Sequence, residues 1–432
     1  MSDKKIKFVK EKYIPRITDI TLLKMLKVSK AILIEGPKWC GKTWTGIFYS
    51  SSMVDFSDTK TKNSNISLAK IEPETLLSEP YPKLIDEWQE YQPIWDDIRS
   101  LVNFSRQKGC FILTGSVSPK KKTHSHSGAG RIERMKMFPM TLSESENNEK
   151  IFSLSKMFKN PDAKYEIKHS KYKLIDLITL VIRGGWPENI SLNIDESLIK
   201  NKGYIDSIST EDIFKQSGVR MDREKFKVLL KSIGRNISTC VTYSTLHSDI
   251  NNTHYKGISD KTFVKYIQTL KDMFLFVEIN SFVPNLRSKV RIQSLTKKIL
   301  IDPSLACAAM NLTSEKFISD LNLFGFFFEN LALRDLLVYA NVLNGQLFHY
   351  RDNSNLEIDC ILELDDGEYA AIEIKTGTDC VEKGIKNIKL FKQKMEKGGF
   401  KQPKFCMIIV GTGSFLHIED DVWIVPLEFL CL

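Results

Sequence analysis

Ala31-Ile-Leu-Ile-Glu-Gly-Pro-Lys-Trp-Cys-Gly-Lys-Thr43 decides the fold of this chain. A short apolar run of strand length leads into the pattern G-x-x-x-x-G-K-[ST], and the helix-compatible Thr43-Trp-Thr-Gly-Ile-Phe-Tyr49 follows. Gly36 and Gly41 let the backbone turn tightly and bring its N–H groups onto phosphate oxygens. Lys42 reaches the β and γ phosphates, and Thr43 offers a hydroxyl to Mg²⁺. The following helix adds the positive end of its dipole. Gly36, Pro37, Lys38, Trp39, Cys40, Gly41, Lys42 and Thr43 are therefore the expected ATP-binding loop. The alternative is a Gly-rich surface turn that happens to carry a lysine, and the flanking strand and helix argue against it.

A phosphate loop needs a second element to hold the metal and aim the water. Pro82-Lys-Leu-Ile-Asp-Glu-Trp88 supplies it: Asp86 ends a short apolar strand and is placed to bind Mg²⁺, and Glu87 to orient or deprotonate the attacking water. Read alone, this is an ordinary Asp-Glu pair at a helix start. Its place after the loop is where an ATPase sheet requires it. A third strand, Gly109-Cys-Phe-Ile-Leu-Thr-Gly-Ser116, ends in the hydroxyls of Thr114 and Ser116, candidates for sensing the γ-phosphate.

The chain of 432 residues exceeds one usual domain, so two or three are expected. A hydrophobic content of 42% with 27% charged residues is that of a globular protein, and no apolar run reaches membrane-spanning length. The start Met1-Ser-Asp-Lys-Lys-Ile-Lys7 lacks a signal-peptide core, so the cytoplasm is the expected location. The eight cysteines form no C-x-x-C pair and read as reduced. A net charge of +9 is compatible with nucleic acid without requiring it.

Residues 1 to about 30 read as a basic lead-in and a helix from Ile17 to Val28. Strand Met53–Phe56, a polar stretch from Thr59 to Asn65, a helix around Leu68–Leu77 and a helix Ile94–Gln107 alternate in the manner of a parallel α/β sheet. Ser118–Gly130 is polar, basic and Gly-rich, a loop whose His124 and His126 face solvent or phosphate. Arg131 and Arg134 then enter a strand at Met135–Pro139. An arginine there is either a surface residue or a finger to the γ-phosphate of a neighbouring subunit, which makes Arg131 a catalytic candidate and a homo-oligomer a possible assembly.

Gly36–Thr43, Leu84–Glu87, Leu113–Ser116, Gly128–Arg131 and Phe138–Glu144, with Arg183-Gly-Gly-Trp-Pro187 and Ile301-Asp-Pro-Ser-Leu305, resemble a widespread family of bacterial and archaeal AAA-type ATPases. Its members carry a C-terminal domain with a restriction-endonuclease-like core, and the resemblance runs over nearly the whole chain. It implies a nucleotide site at Lys42, Thr43, Asp86 and Glu87, and nothing firm about substrate.

The middle of the chain reads as mostly helical. Helix Lys173–Ile182 ends at Gly184-Gly185, and Arg183 either approaches the nucleotide from a lid or sits at the helix C-terminus because the dipole favours it. Helices Asp222–Ile233, Ser244–Ile250 and Ser259–Met273 precede a hairpin bearing Arg287, Lys289, Arg291, Lys297 and Lys298. Three helices and a basic hairpin are a winged-helix arrangement, with Lys261, Lys265 and the hairpin bases set for DNA phosphates. Winged helices also serve as protein-contact modules.

The C-terminal part opens with an apolar helix, Leu321–Ala340, and carries a second constellation: Glu357, Asp359, Glu373 and Lys375. This is the nuclease signature D…(E/D)-x-K, in which Asp359 and Glu373 hold Mg²⁺ and Lys375 stands beside the attacked phosphate. The register follows from the turn. A three-residue loop Asp365-Asp366-Gly367, with Gly in the left-handed position, sets Leu364 opposite Glu368, Asp359 opposite Glu373 and Glu357 opposite Lys375. Alternation then puts all four on one side of the hairpin. An exposed polar face is the bland alternative. The resemblance implies that Glu329, on the first helix, assists the metal, while the proline usual before the first acid is absent.

The expected architecture is thus α/β throughout its ends: a P-loop ATPase domain with a parallel sheet over 1–150, a helical lid and winged helix over 151–320, and a restriction-endonuclease-like domain over 321–432. The expected activity is ATP hydrolysis with Mg²⁺ joined to binding or cutting of DNA. The other reading is an ATP-dependent switch or scaffold whose C-terminal domain binds a partner.

Overall fold

Ala31–Glu35 forms a fully buried strand (β1), as a nearly all-apolar run covered on both sides must. The structure, a computed structural model, describes residues 2–115, 130–161, 165–209, 222–252, 257–284, 295–418 and 422–432. It divides into two compact units, Met1–Pro139 with Asp272–Phe274, and Met140–Lys271 with Leu275–Leu432.

In the first unit, helices α1 (Ser2–Lys12) and α2 (Asp19–Val28) precede β1, and α3 (Lys42–Phe48) follows it. Then come β2 (Ser52–Asp55), α4 (Lys62–Ile71), α5 (Pro73–Leu76), β3 (Lys83–Asp86), α6 (Ile94–Phe104), β4 (Phe111–Gly115) and β5 (Ile132–Lys136). The five strands are all parallel in the order β2-β3-β4-β1-β5. Because β4 lies between β1 and β3, the carboxyl ends of all three meet at one edge, where a ligand crevice is expected in such sheets. Leu33, Ile85 and Leu113 from those strands pack with Trp95 and Ile98 of α6 in the core. The lead-in read as merely basic is the helix α1, which buries Ile6 and Val9, one helical turn apart. The polar stretch at 59–65 is partly helical, since α4 begins at Lys62.

In the second unit, β6 (Phe152–Ser153) pairs with β16 (Leu430–Cys431). β7 (Lys168–His169), β8 (Phe276–Ser281), β9 (Lys297–Leu300), β10 (Gly345–Arg351), β11 (Glu357–Leu364), β12 (Tyr369–Lys375), β13 (Phe405–Val410), β14 (Ser414–Ile418) and β15 (Val422–Pro426) make one mixed sheet. Its order is β7-β14-β15-β13-β12-β11-β10-β8-β9. β10, β11 and β12 run antiparallel in succession, and helix Val381–Lys397 carries the chain over to β13, parallel to β12. Helices Arg223–Arg235, Tyr243–Asn251 and Asp260–Asp272 lead into the antiparallel pair β8/β9, matching the expected order of three helices and a hairpin.

That pair does not stand apart as a wing. β8 hydrogen-bonds alongside β10, so the segments before and after the expected boundary at 320 share a sheet and lie in one compact unit. Lys297 and Lys298, expected on phosphates, are 1% and 3% exposed and bond to protein instead. Lys261 and Lys265 are exposed, whereas Arg287, Lys289 and Arg291 lie outside the described residues.

The family motifs of the middle segment converge inside this unit. Arg334, 1% exposed, donates to Asp302 (2.9 Å) and Asp335 (2.7 Å), both fully buried. Asp302 also accepts from the Gly185 amide, Asp335 from the Leu142 amide, and Trp186 Nε1 donates to Ser304 Oγ at 3.0 Å. Arg183 ends its helix and pairs with Glu146.

His349, on β10, is 2% exposed and donates through Nε2 to the Leu295 carbonyl at 2.9 Å. Burial, with the nearby charge of Lys297, depresses its pKa to about 4. The unfolded imidazole takes a proton near its ordinary value of 6.5, so between those limits the unfolded chain holds more protons and stability falls as pH drops. Across that window the group accounts for about 3 kcal/mol. His349→Gln is expected to flatten this part of the stability–pH curve, measured by urea unfolding at a series of pH values.

Candidate functional site

The loop between β1 and α3 is shaped by its glycines. A Cβ on Gly36 would stand 2.1 Å from the Met137 carbonyl oxygen, and Gly41 caps α3 with φ of 105°, which L side chains rarely adopt. Lys42 is 5% exposed, and its ammonium donates to the loop's own carbonyls, Gly36 O at 2.9 Å and Pro37 O at 2.7 Å. The side chain therefore curls back into the concavity of the loop.

β3 brings Asp86 to the same place. Thr43 Oγ1 donates to Asp86 Oδ1 at 2.9 Å, and Thr114 Oγ1, from the end of β4, donates to the same oxygen. Burial pushes the Asp86 carboxyl up to about 6, against the Thr114 hydrogen bond and with the help of the neighbouring Glu87 charge. Among the described residues this buried carboxylate takes its hydrogen bonds from two hydroxyls, and Thr43 and Asp86 fit a hard divalent cation such as Mg²⁺. Glu87 follows in a left-handed conformation, φ 51°, and its carboxylate accepts from Gln89 Nε2. Such a turn at a strand end aims the side chain away from the strand's alternation.

Ser116, the other hydroxyl expected here, lies outside the described residues, as do His124 and His126. Arg131 precedes β5, whose parallel register with β1 sets Ile132 beside Ala31 and Lys136 beside Glu35. It is thus a strand's length from the phosphate loop, exposed, with Nε donating to Asn103 Oδ1 at 3.0 Å. Its own chain's loop is not within its reach.

Three residues that the sequence reading passed over brace the loop. Arg16, 6% exposed, donates to the Cys40 carbonyl (2.7 Å) and the Phe138 carbonyl (2.9 Å). Tyr13 OH lies between Asp19 Oδ1 at 2.8 Å and Thr45 Oγ1 at 2.9 Å. A Tyr-x-x-Arg-x-x-Asp spacing just before an apolar strand was the available signal.

In the second unit Cys360 pairs Ile372 and Leu362 pairs Ala370, the register expected from the turn, and just beyond these pairs the Ile374 amide donates to Asp359 Oδ2 at 2.8 Å. The turn closes through Gly367 N–H to Leu364 O at 2.9 Å, with Gly367 at φ 77°. Lys375 Nζ donates to Asp359 Oδ2 at 2.8 Å and to Glu373, which also accepts from Asn387. Glu329 is taken by another cation: Lys297 Nζ lies 2.6 Å from Glu329 Oε1 and 3.1 Å from the Asp359 carbonyl.

Burial alone would lower both ammonium groups, yet Glu329, Asp359 and Glu373 outweigh it and hold Lys297 and Lys375 above the usual lysine range. Burial raises Glu373 and Glu329, while Asp359 is held low by Lys375 and Lys297 despite its burial. Among the described residues no group of three or more His, Cys, Asp or Glu side chains is disposed to hold a metal. Glu329, Asp359 and Glu373 were expected to share Mg²⁺; two buried ammonium groups divide them instead, and in this arrangement they do not fit it.

Residues 28–146 match the family described as AAA domain, residues 174–316 a domain of unknown function (DUF8612), and residues 324–430 a domain of unknown function (DUF4143). The N-terminal part of the chain is therefore similar to AAA-type ATPase domains. No curated protein matches the chain. Similar solved structures include the Walker-type ATPase PABY2304 of Pyrococcus abyssi, 12% identical over 69% of this chain and 96% of that one, TM-score 0.42. The ORC2 protein of Aeropyrum pernix is 11% identical over 74% and 94%, TM-score 0.31. The RuvB Holliday junction branch migration motor of Thermotoga maritima is 15% identical over 72% and 93%, TM-score 0.24. No described helix is long and apolar enough to cross a membrane.

Proposed function

We propose that the chain binds and hydrolyses ATP at the loop of the first unit and acts on nucleic acid through the second. The observation that carries the first part is the shared Asp86 oxygen, on which Thr43, next in the chain to Lys42, and Thr114 of β4 converge. Lys42 exchanges the carbonyls of Gly36 and Pro37 for β- and γ-phosphate oxygens, a trade of neutral acceptors for charged ones. Thr43 and Asp86 would hold Mg²⁺, which would supply positive charge to the triphosphate. Glu87 accepts a proton from, or orients, the attacking water. Arg131 acts in the site of a second copy, which requires a homo-oligomer.

The nucleic-acid part is supported by a sheet whose β10–β13 order suits a restriction-endonuclease-like core and by the exposed Lys261 and Lys265. A second reading has a specific observation in its favour. With Lys297 and Lys375 already neutralising the carboxylates, the second unit binds a partner under ATP control and cuts nothing.

One experiment separates these readings. Purified protein is incubated with labelled plasmid, ATP and Mg²⁺. Glu87→Gln is expected to lower ATP turnover about a hundred-fold with ATP binding retained, the usual scale for losing a general base. Mg²⁺-dependent nicking that disappears in Asp359→Ala, with ATP turnover intact, supports nucleic-acid cleavage. ATP turnover without nicking leaves the switch. Absence of turnover in the wild type removes the ATPase reading itself.

A further inference from the structure

Trp44 is an aromatic residue that the phosphate loop does not need and that the core does not use. It follows Thr43 directly and is 40% exposed. Helical steps of about 100° separate its direction from that of its neighbours. Thr43 turns to Asp86, and Gly46 lies so close to β3 that a Cβ would meet Leu84 at 2.7 Å. Thr45 turns to Tyr13. Trp44 is left to face outward from the first turn of α3.

Its ring neighbour is Phe8 of α1, 51% exposed, at a centroid distance of 6.1 Å and an interplanar angle of 64°. A tilted contact of this kind engages at most one face of the indole, and the side chain stays 40% exposed. The phosphates of a nucleotide in such a loop have a fixed polarity. The γ end lies toward the metal residues, here Thr43 and Asp86, and the backbone N–H groups beyond Lys42 take the α and β phosphates. The nucleoside therefore emerges beside the first turn of α3, where the open indole stands.

We propose that Trp44, buttressed by Phe8, is a stacking platform for the purine base of the nucleoside triphosphate held by the phosphate loop. The proposal rests on the nucleotide reading above and adds base recognition to it. Stacking on an aromatic side chain tolerates any base but rewards the larger ring system, so ATP and GTP bind more tightly than CTP and UTP.

The test compares two ligands that share phosphates and differ in the base. Binding of ATP and of inorganic tripolyphosphate, each with Mg²⁺, is measured by calorimetry on the full chain. Trp44→Ala is expected to weaken ATP about ten-fold and to change tripolyphosphate by less than about two-fold, while Trp44→Phe keeps most of the ATP affinity. Equal losses for both ligands, unchanged ATP binding in Trp44→Ala, or tripolyphosphate binding to the wild type as tightly as ATP would each overturn the platform. A wild type that binds neither ligand overturns the phosphate-loop reading and the platform with it.

Discussion

Replacing Lys42 with alanine is expected to weaken ATP binding by at least about a hundred-fold, because each charge-assisted hydrogen bond lost to a phosphate is worth roughly 1.5–3 kcal/mol. The ammonium is buried at 5% exposure and already turned onto the loop's own carbonyls, where the phosphates are to be received. Removing it frees the Gly36 and Pro37 carbonyls but leaves the glycine-defined backbone, which is set by the contact of Gly36 with Met137. The variant should therefore stay folded by circular dichroism while a titration with a fluorescent ATP analogue loses its signal. Wild-type affinity in this variant would move the nucleotide elsewhere.

The largest stability effect is expected from Arg334→Met. The guanidinium holds two fully buried carboxylates, Asp302 and Asp335, which in turn accept from the Gly185 and Leu142 amides. Burial lifts Asp335 to about 6 even with Arg334 beside it. Without the arginine two acids remain in an apolar interior, and breaking such a buried arrangement costs about 3–5 kcal/mol. Urea unfolding of the second unit should shift accordingly. Adding Asp302→Asn and Asp335→Asn to Arg334→Met should recover part of the loss, since the uncompensated charge rather than the missing contact is then removed. A shift below about 1 kcal/mol for Arg334→Met alone would mean that the triad contributes little.

This triad also explains the motifs Arg183-Gly-Gly-Trp-Pro187 and Ile301-Asp-Pro-Ser-Leu305, whose role could not be read from the residues. Gly185 has no room for a Cβ, which would stand 2.2 Å from the Met140 carbonyl oxygen. Arg183, weighed as a lid residue, is the C-terminal residue of its helix and is paired with Glu146. Their pattern reflects packing between distant segments, and one-dimensional spacing carries no signal of that.

The chain's own order of residues determined what depends on near neighbours. The glycine-bounded loop after β1, the acid at the end of β3, and the β11/β12 register follow from local turn geometry and strand alternation, which act over a few residues. Tertiary structure alone decided where charge is neutralised. Lys297 reads as a basic hairpin residue until β9 is seen to place it on Glu329, and only parallel pairing sets Arg131 at the end of the sheet away from its own phosphate loop. Partners brought together across tens or hundreds of residues are chosen by which faces must be buried, and burial is a property of the assembled fold.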